Sequence, residues 1–361
     1  MKRQLKDTES AFADQLFYVG IDVHKKQWTI SIRSNQTAIG KVLSVEPSAE
    51  KLSQYLRRSY PGGTFRAVYE AGYSGFWPAR DLARHHIQCL VVNPADIPAK
   101  HKELANKTDK VDSRKLARSL ENQELKGIYV PERAAEECRM LNRYRSRLVR
   151  EESRLKNRIK AILSEFNYRP PVDLEGNRWS GAYLQWLAGI RFETPYAQVA
   201  YDEQLSQLAE IRARQARVVK QMKEMAISDP TLGGQVRLLE SVPGIGFLTA
   251  MLLVNELIDI NRFKNLEALA SFIGLVPSVH ESDERSYSRG LSVRHHSGLR
   301  SRLIESAWIA VRKDPALSLK FAQLCQRMHR NKAIVRIAKM VLNRIRFVWR
   351  NQTLYAYGVI E

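Results

Sequence analysis

The sequence predicts an α/β domain followed by two mainly helical regions, and three observations support this prediction. Short apolar runs alternate with helix-like segments over about the first 130 residues. Long stretches of helical periodicity follow, and strongly helical segments return near the C-terminus. The 361 residues, 44% of them hydrophobic, are enough to build several cores. We place the domains at residues 1–132, 133–232 and 233–361.

The first domain alternates between strand and helix signals. The run LFYVGID and the alternating segment WTISI predict two neighbouring strands, with HKKQ as the turn between them. For the polar stretch that follows we predict neither a strand nor a helix. A helix is expected at residues 49–59, and PGG marks a turn after it. A strand ending at Glu70, a helix at residues 79–86 and a strand in CLVVNP complete the pattern. This alternation indicates a mixed sheet.

The middle region has the periodicity of two long helices. Apolar side chains fall on one helical face in residues 139–166 and again in residues 202–226. Nine Lys and Arg residues lie between Arg139 and Lys160. We interpret the region as a coiled-coil linker. The two helices could form a hairpin within the chain or a dimerising coiled coil, and the sequence leaves both open.

The last domain contains a tight turn between two apolar helical segments. The turn, SVPGIG at residues 241–246, is typical of a helix-hairpin-helix motif. In that motif Gly244 and Gly246 would let backbone N–H groups approach a DNA phosphate. Residues 281–298 are polar, and we predict an irregular loop there. Helices are expected at residues 299–312 and 332–350.

Positive charge is concentrated in what we call the basic C-terminal segment, residues 285–350. The whole chain has 58 Lys and Arg against 38 Asp and Glu, a net charge of +20. The basic C-terminal segment holds 16 of the basic residues and only two acidic ones, Glu305 and Asp314. Such a field favours a polyanionic partner such as nucleic acid. Candidate phosphate contacts are Arg289, Arg294, Arg300 and Arg302, with His280, His295 and His296 also expected to contact phosphate rather than a metal.

Four acidic residues occupy positions where carboxylates can meet. Asp22 and Glu70 each end a predicted strand, and Asp109 and Asp112 lie three residues apart at the start of a predicted helix. The spacing of three places both aspartates on one helical face. A set of carboxylates of this kind is what a pair of Mg²⁺ or Mn²⁺ ions needs to clamp a phosphodiester. We therefore predict a metal-dependent site.

Other signals argue against a membrane or secreted protein. The N-terminal residues contain no apolar stretch typical of a signal peptide, and the most apolar run, residues 247–254, is too short for a membrane span. Cys89, Cys138 and Cys325 are too far apart to suggest a disulfide framework or a zinc site. We expect a cytoplasmic protein with no membrane partner.

Several motifs, in one order along nearly the whole chain, resemble those of a known family. They are YVGIDVHK, AVYEAGYSG, NKTDKVDSRKLA, LLESVPGIG, ASFIGLVPS and LRSRLIESAW. The chain is similar to the DEDD-type insertion-sequence transposases, which are related to the Piv DNA invertase and are guided by a bridge RNA.

The resemblance implies a fold, a site and a set of partners. The first domain would be a RuvC-like RNase H fold whose metal-binding set is Asp22, Glu70, Asp109 and Asp112. Ser282 would be the nucleophile that forms a covalent phosphoserine link to DNA. The implied partners are donor and target DNA and a structured guide RNA. The protein would be a bacterial, nucleoid-associated homodimer or homotetramer.

Three other functions remain open at this point. A RuvC-like Holliday-junction nuclease would use metal-activated water and would not need Ser282. A non-enzymatic nucleic-acid scaffold would use only the hairpin and the basic helices. An actin-like sugar kinase also begins with GID, but the chain lacks glycine-rich phosphate loops, which argues against that class.

Overall fold

The computed structural model describes residues 11–98, 108–176, 179–282, 285–292 and 295–357, and only the backbone of the described residues between 278 and 289. The chain divides into two compact units, Met1–Pro131 and Glu132–Glu361. The first has a mixed sheet with helices and the second is mostly helical, which confirms the predicted fold class at that level.

The first unit is built on a five-stranded sheet of order β3-β2-β1-β4-β5. Strands β1, β2 and β3 are antiparallel neighbours, whereas β4 and β5 run parallel to β1. The strands are β1 (Leu16–Val23), β2 (Trp28–Ser34), β3 (Thr37–Val45), β4 (Thr64–Glu70) and β5 (Gln88–Val92).

Strand β3 lies where we predicted no element. Asn35 and Gln36 have φ angles of 50° and 60° and form a two-residue turn that folds β3 back onto β2. An edge strand buries little, and most side chains of β3 are exposed or half-buried. The apolar alternation that marks a half-buried strand is therefore weak in this segment.

Helices cover both faces of the sheet. They are α1 (Ala49–Ser59), α2 (Trp77–Arg84) and α3 (Asp109–Glu121). On one face Phe17, Val19 and Ile21 of β1 share a buried core with Leu52 of α1 and Leu82 of α2. The opposite face carries α3, which contacts β1, β2 and β4. The alternate residues of β1, which include Gly20 and Asp22, therefore face α3.

The second unit begins with a hairpin of two long helices separated by a short one. They are α4 (Arg133–Glu165), α5 (Gly181–Gly189) and α6 (Pro195–Ser228). Leu148 of α4 shares a core with Val218 of α6, and Leu163 shares another core with Tyr201, so the two long helices are antiparallel. They pair within the chain, which is the first of the two arrangements that the sequence left open.

The remaining helices of the second unit enclose one large core. They are α7 (Pro230–Glu240), α8 (Phe247–Leu257), α9 (Leu266–Ile273), α10 (Ser297–Lys313), α11 (Pro315–Cys325) and α12 (Arg330–Asn351). Two strands, β6 (Pro277–Ser282) and β7 (Arg285–Leu291), form an antiparallel pair. Our prediction of an irregular loop over residues 281–298 is therefore wrong for the residues that belong to these two strands. In the described part of the chain, no helix is both long enough and apolar enough to cross a bilayer.

Candidate functional site

Gly20 allows helix α3 to lie directly on strand β1. A Cβ atom added at Gly20 would lie 2.1 Å from the backbone oxygen of Ser113 and 2.4 Å from the backbone nitrogen of Ala117. Both distances are shorter than any real contact, so no larger residue fits without moving the helix. This contact fixes the first turns of α3 beside the C-terminal end of β1.

The other end of α3 is also held. Glu121 accepts hydrogen bonds from Arg33 Nε of β2 at 2.6 Å and from the backbone nitrogen of Gln36 at 2.7 Å. The Glu121 side chain is only 6% exposed. A charge-assisted contact at this burial resists displacement. Helix α3 is therefore anchored at both ends of the sheet.

This anchoring brings Asp22 close to the first turn of α3. Asp22 lies two residues after Gly20, on the same face of β1. Asp109 and Asp112 occupy the first turn of α3, where Thr108 caps the helix by accepting from the Val111 N–H. Acidic side chains are favoured there by the helix dipole, which is part of the reason that three carboxylates can lie so close together.

Glu70 is placed at the same edge by the strand register. Ile21 of β1 is level with Tyr69 of β4, so Asp22 and Glu70 are the next residues on two neighbouring parallel strands. Level residues of parallel strands point to the same face. The fold therefore brings the four predicted acids to one end of the sheet, on the face that carries α3.

His24 joins this cluster, although we predicted only a plain turn for HKKQ. Its Nε2 atom lies 3.1 Å from Asp22 Oδ2 and 3.6 Å from Asp109 Oδ1. The three ligand atoms lie within 4.8 Å of one another and could hold a metal ion. The signal in the sequence is the spacing of two between Asp22 and His24, which places both side chains on one side of an extended strand.

Charge crowding affects Asp22 in particular. Burial raises the pKa of the Asp22 carboxyl, and the charges of Asp109 and Asp112 raise it further, while His24 acts in the opposite direction. A carboxylate that is disfavoured by burial and by like charges is stabilised by a bound cation. The donor set of carboxylate oxygens and an imidazole nitrogen thus fits a divalent metal.

A basic and aromatic cleft adjoins the acids. His24, Lys25, Lys26, Gln27, Tyr73 and Asp109 line an open cleft of about 600 Å³. The Tyr73 hydroxyl donates to the backbone oxygen of Val23 at 3.2 Å, and Lys25 Nζ lies 5.8 Å from the centre of the Tyr73 ring. Lysines beside an acidic cluster can hold a phosphate while the acids hold a metal.

The predicted residues of the second unit are distributed differently. Ser282 is the last residue of β6 and is paired with Arg285, whereas we predicted that it lies in a loop. Arg289 belongs to β7, where only its backbone is described, and Arg294 lies outside the described residues.

The two remaining arginines make contacts within the protein. Arg300 Nη1 donates to the backbone oxygen of Ser292 at 2.9 Å, and Arg302 pairs with Glu305 at 2.8 Å. Arg302 keeps 41% of its side chain exposed.

The turn between α7 and α8 uses its two glycines for different reasons. Gly244 has a φ of +87°, and a Cβ there would lie 2.2 Å from the backbone oxygen of Ser306 in α10. Gly246 is exposed, has no atom within 4 Å of a built Cβ, and precedes α8 without a side-chain cap. Gly244 is thus required for packing, while Gly246 places no side chain at the start of α8.

The half-buried His296 pairs with the buried Glu256, a contact that was not predicted from the sequence. His296 Nδ1 accepts from the Leu299 N–H at 3.2 Å, and its Nε2 lies 3.3 Å from Glu256 Oε2. Both ring nitrogens therefore contact protein groups. Burial would raise the pKa of Glu256, but hydrogen bonds from His296 and Arg143 outweigh burial and lower the pKa to about 2.

Two family models match successive parts of the chain. Residues 19–168 match the model of the IS110 DEDD transposase domain, described as a transposase. Residues 236–322 match the model described as the transposase IS116/IS110/IS902 family. The first match contains all four acids and His24, and the second contains Ser282.

Individual relatives are similar over most of their length. The transposase for insertion sequence element IS1533 of Leptospira borgpetersenii is 26% identical over 298 residues, or 81% of this chain and 84% of that protein. The putative transposase y4rJ of Sinorhizobium fredii is 26% identical over 356 residues, or 90% of this chain and 89% of that protein. Two models of one family, matched in order over well over half of the sequence, establish that the chain belongs to the IS110 family of transposases.

Proposed function

We propose that this DNA transposase cuts and rejoins the strands of a mobile element at the carboxylate cluster of its first unit, with Mg²⁺ or Mn²⁺ as cofactor. The observation that carries the proposal is the convergence of Asp22 and Asp109 on one point, with His24 Nε2 at 3.1 and 3.6 Å from their oxygens. Convergent oxygens of this kind suit a hard divalent cation.

The sheet order supports a RuvC-like RNase H fold for the first unit. Strands β1 and β4 are parallel neighbours in the sheet, with Asp22 one residue before the end of β1 and Glu70 at the end of β4. Asp22, Glu70, Asp109 and Asp112 would hold the metal. When bound, the metal would stabilise negative charge on the reacting phosphate.

Side chains around the cluster would position the DNA strand. Lys25 and Lys26 lie in the same cleft as Asp109 and can pair with phosphates next to the one that reacts. The close packing of Gly20 against α3 and the ion pair between Glu121 and Arg33 keep the acids in place. A pre-organised site of this kind loses little free energy to reorganisation during the reaction.

Ser282 is the proposed nucleophile. Its Oγ would form a bond to phosphorus as the bond from phosphorus to a deoxyribose oxygen breaks, and the proton lost by the serine would end on that released oxygen. The reverse step would rejoin DNA without ATP, because the phosphoserine ester conserves the energy of the phosphodiester. The family resemblance supports this role, as does the position of Ser282 at the end of β6, just before the basic C-terminal segment in the chain.

The proposed partners are donor and target DNA and a structured guide RNA, bound by a homodimer or homotetramer. The turn between α7 and α8 would act as a helix-hairpin-helix element through the N–H groups at the start of α8, which have no side-chain cap from Gly246. The basic C-terminal segment, with 16 basic residues and two acidic ones, would supply most of the phosphate contacts.

A reconstituted reaction tests this function. The full chain is incubated with the non-coding RNA that flanks its element, with donor and target DNA, and with Mg²⁺. We expect a covalent protein–DNA adduct and strand exchange, both abolished in Ser282→Ala and retained in the control Ser286→Ala of the neighbouring strand. Cleavage that persists in Ser282→Ala without an adduct would instead favour the junction-nuclease function. Retained cleavage in Asp22→Asn would contradict the metal site.

A further inference from the structure

We propose that His24 is itself a ligand of the metal, so that the site has mixed nitrogen and oxygen donors and prefers Mn²⁺ to Mg²⁺. This inference rests on the proposed function, because it assumes that the carboxylate cluster binds a divalent ion. It adds a fifth residue to the four acids and a chemical basis for choosing between the two metals.

The orientation of the imidazole is the first argument. One ring nitrogen, Nε2, faces both carboxylates, at 3.1 Å from Asp22 and 3.6 Å from Asp109. A histidine that only neutralised Asp22 would need no second carboxylate near the same nitrogen. Three donor atoms within 4.8 Å of one another surround a point that a metal can reach with ordinary bond lengths.

The backbone holds His24 in this position. Its N–H donates to the backbone oxygen of Gln27 at 3.1 Å, which closes the turn between β1 and β2. The turn is fixed at its base by Val23, which pairs with the fully buried Trp28 and accepts the hydrogen bond of Tyr73. His24 is thus the first residue of a short hydrogen-bonded turn and not part of a long loop, and a ligand held this way loses little conformational entropy on binding.

Exposure is compatible with ion entry. The His24 side chain is 47% exposed and that of Asp109 is 51% exposed, whereas Asp22 is 22% exposed. Asp22 is thus the most buried of the three donors, whereas His24 and Asp109 line the open cleft together with Lys25 and Tyr73. A metal can therefore enter from the cleft, beside His24 and Asp109.

The donor chemistry decides the metal preference. Mg²⁺ is bound almost entirely by oxygen ligands. An imidazole ligand raises the affinity of a site for transition metals, and although this gain is smallest for Mn²⁺ in the series from Mn²⁺ to Cu²⁺, it favours Mn²⁺ over Mg²⁺. Replacing His24 should therefore weaken Mn²⁺ binding by about tenfold or more and Mg²⁺ binding by less. Replacing Asp22 should weaken both.

Pulsed electron paramagnetic resonance on the Mn²⁺-loaded full chain tests the ligand directly. A coordinated imidazole gives a nitrogen-14 modulation of the Mn²⁺ echo. We expect this modulation in the wild type and in Gln27→Ala, a neutral change in the same turn. We expect it to be absent in His24→Ala and in the size-matched His24→Gln, with circular dichroism unchanged because the side chain lies on the surface.

The outcomes separate this inference from the proposed function. Wild-type protein that binds Mn²⁺ through Asp22 but gives no nitrogen-14 modulation would overturn the role of His24 and leave the metal site intact. Failure of the wild type to bind Mn²⁺, or binding unchanged in Asp22→Asn, would overturn the metal site and the inference with it. An equal decrease of Mn²⁺ and Mg²⁺ affinity in His24→Gln would contradict the proposed preference.

Discussion

Replacing Gly20 with alanine should push helix α3 away from strand β1 and separate the acids that the two elements carry. The new Cβ would lie 2.1 Å from the Ser113 oxygen, and an ordinary contact needs at least 3.4 Å, so the helix must move by about 1.3 Å. The three atoms nearest to the Cβ, from Ser113 and Ala117, all belong to the backbone and cannot rotate away. Forced overpacking of this kind costs about 1–3 kcal/mol of the free energy of unfolding.

The same displacement should impair the site more than the fold. Asp109 and Asp112 move with the helix while Asp22 stays on the strand, and a misplacement of about 1 Å can lower a catalytic rate by about 100-fold. Three measurements check this: urea unfolding, Mn²⁺ titration and strand cleavage. The matched control is Gly72→Ala, because the nearest atom to a Cβ there is 3.9 Å away. If Gly20→Ala kept wild-type stability and Mn²⁺ affinity, the close packing of α3 on β1 would be refuted.

Three further predictions concern the second unit. Glu256→Gln should cost about 3 kcal/mol at neutral pH, since the folded pKa of about 2 lies below the ordinary 4.5. That stabilisation is present above pH 4.5 and disappears as the pH falls towards 2. The midpoint temperatures of thermal unfolding of the variant and the wild type should therefore become equal as the pH approaches 2. Gly244→Ala should lower the urea midpoint clearly, because its Cβ would lie 2.2 Å from Ser306, whereas Gly246→Ala should change it little. Arg302→Gln should reduce the salt dependence of DNA binding, and the log–log slope of affinity against salt should fall by about 0.9 if this arginine neutralises one phosphate.

The sheet could be predicted from sequence wherever strands are buried. β1, β2, β4 and β5 follow from apolar runs that end at turn residues or acids, and the spacing of Asp109 and Asp112 correctly placed them on one helical face. β3 was missed because an edge strand with mostly exposed residues has no such pattern. Ser282 was assigned to a loop for a similar reason, since β6 and β7 are short and polar.

Long-range polar contacts could not be predicted. Glu256 lies 113 residues from Arg143, and nothing local distinguishes it from an exposed helical glutamate. His24 is an intermediate case. Its distance of two residues from Asp22 was visible, but its approach to Asp109 depends on how α3 packs on Gly20, and one sequence does not show that packing.

The hairpin of α4 and α6 has a mechanical consequence. At about 1.5 Å per residue, helices of 33 and 34 residues are roughly 50 Å long, close to the length of about fifteen base pairs. The base of the hairpin is fixed by buried side chains: Arg139 donates to the backbone of Asn255, and Asn142 donates to that of Met251. A rotation of about 5° at this base would move the far end by about 4 Å, more than one base-pair step. The buried hydrogen bonds of Arg139 and Asn142 at the base of the hairpin therefore restrict how far its tip can move.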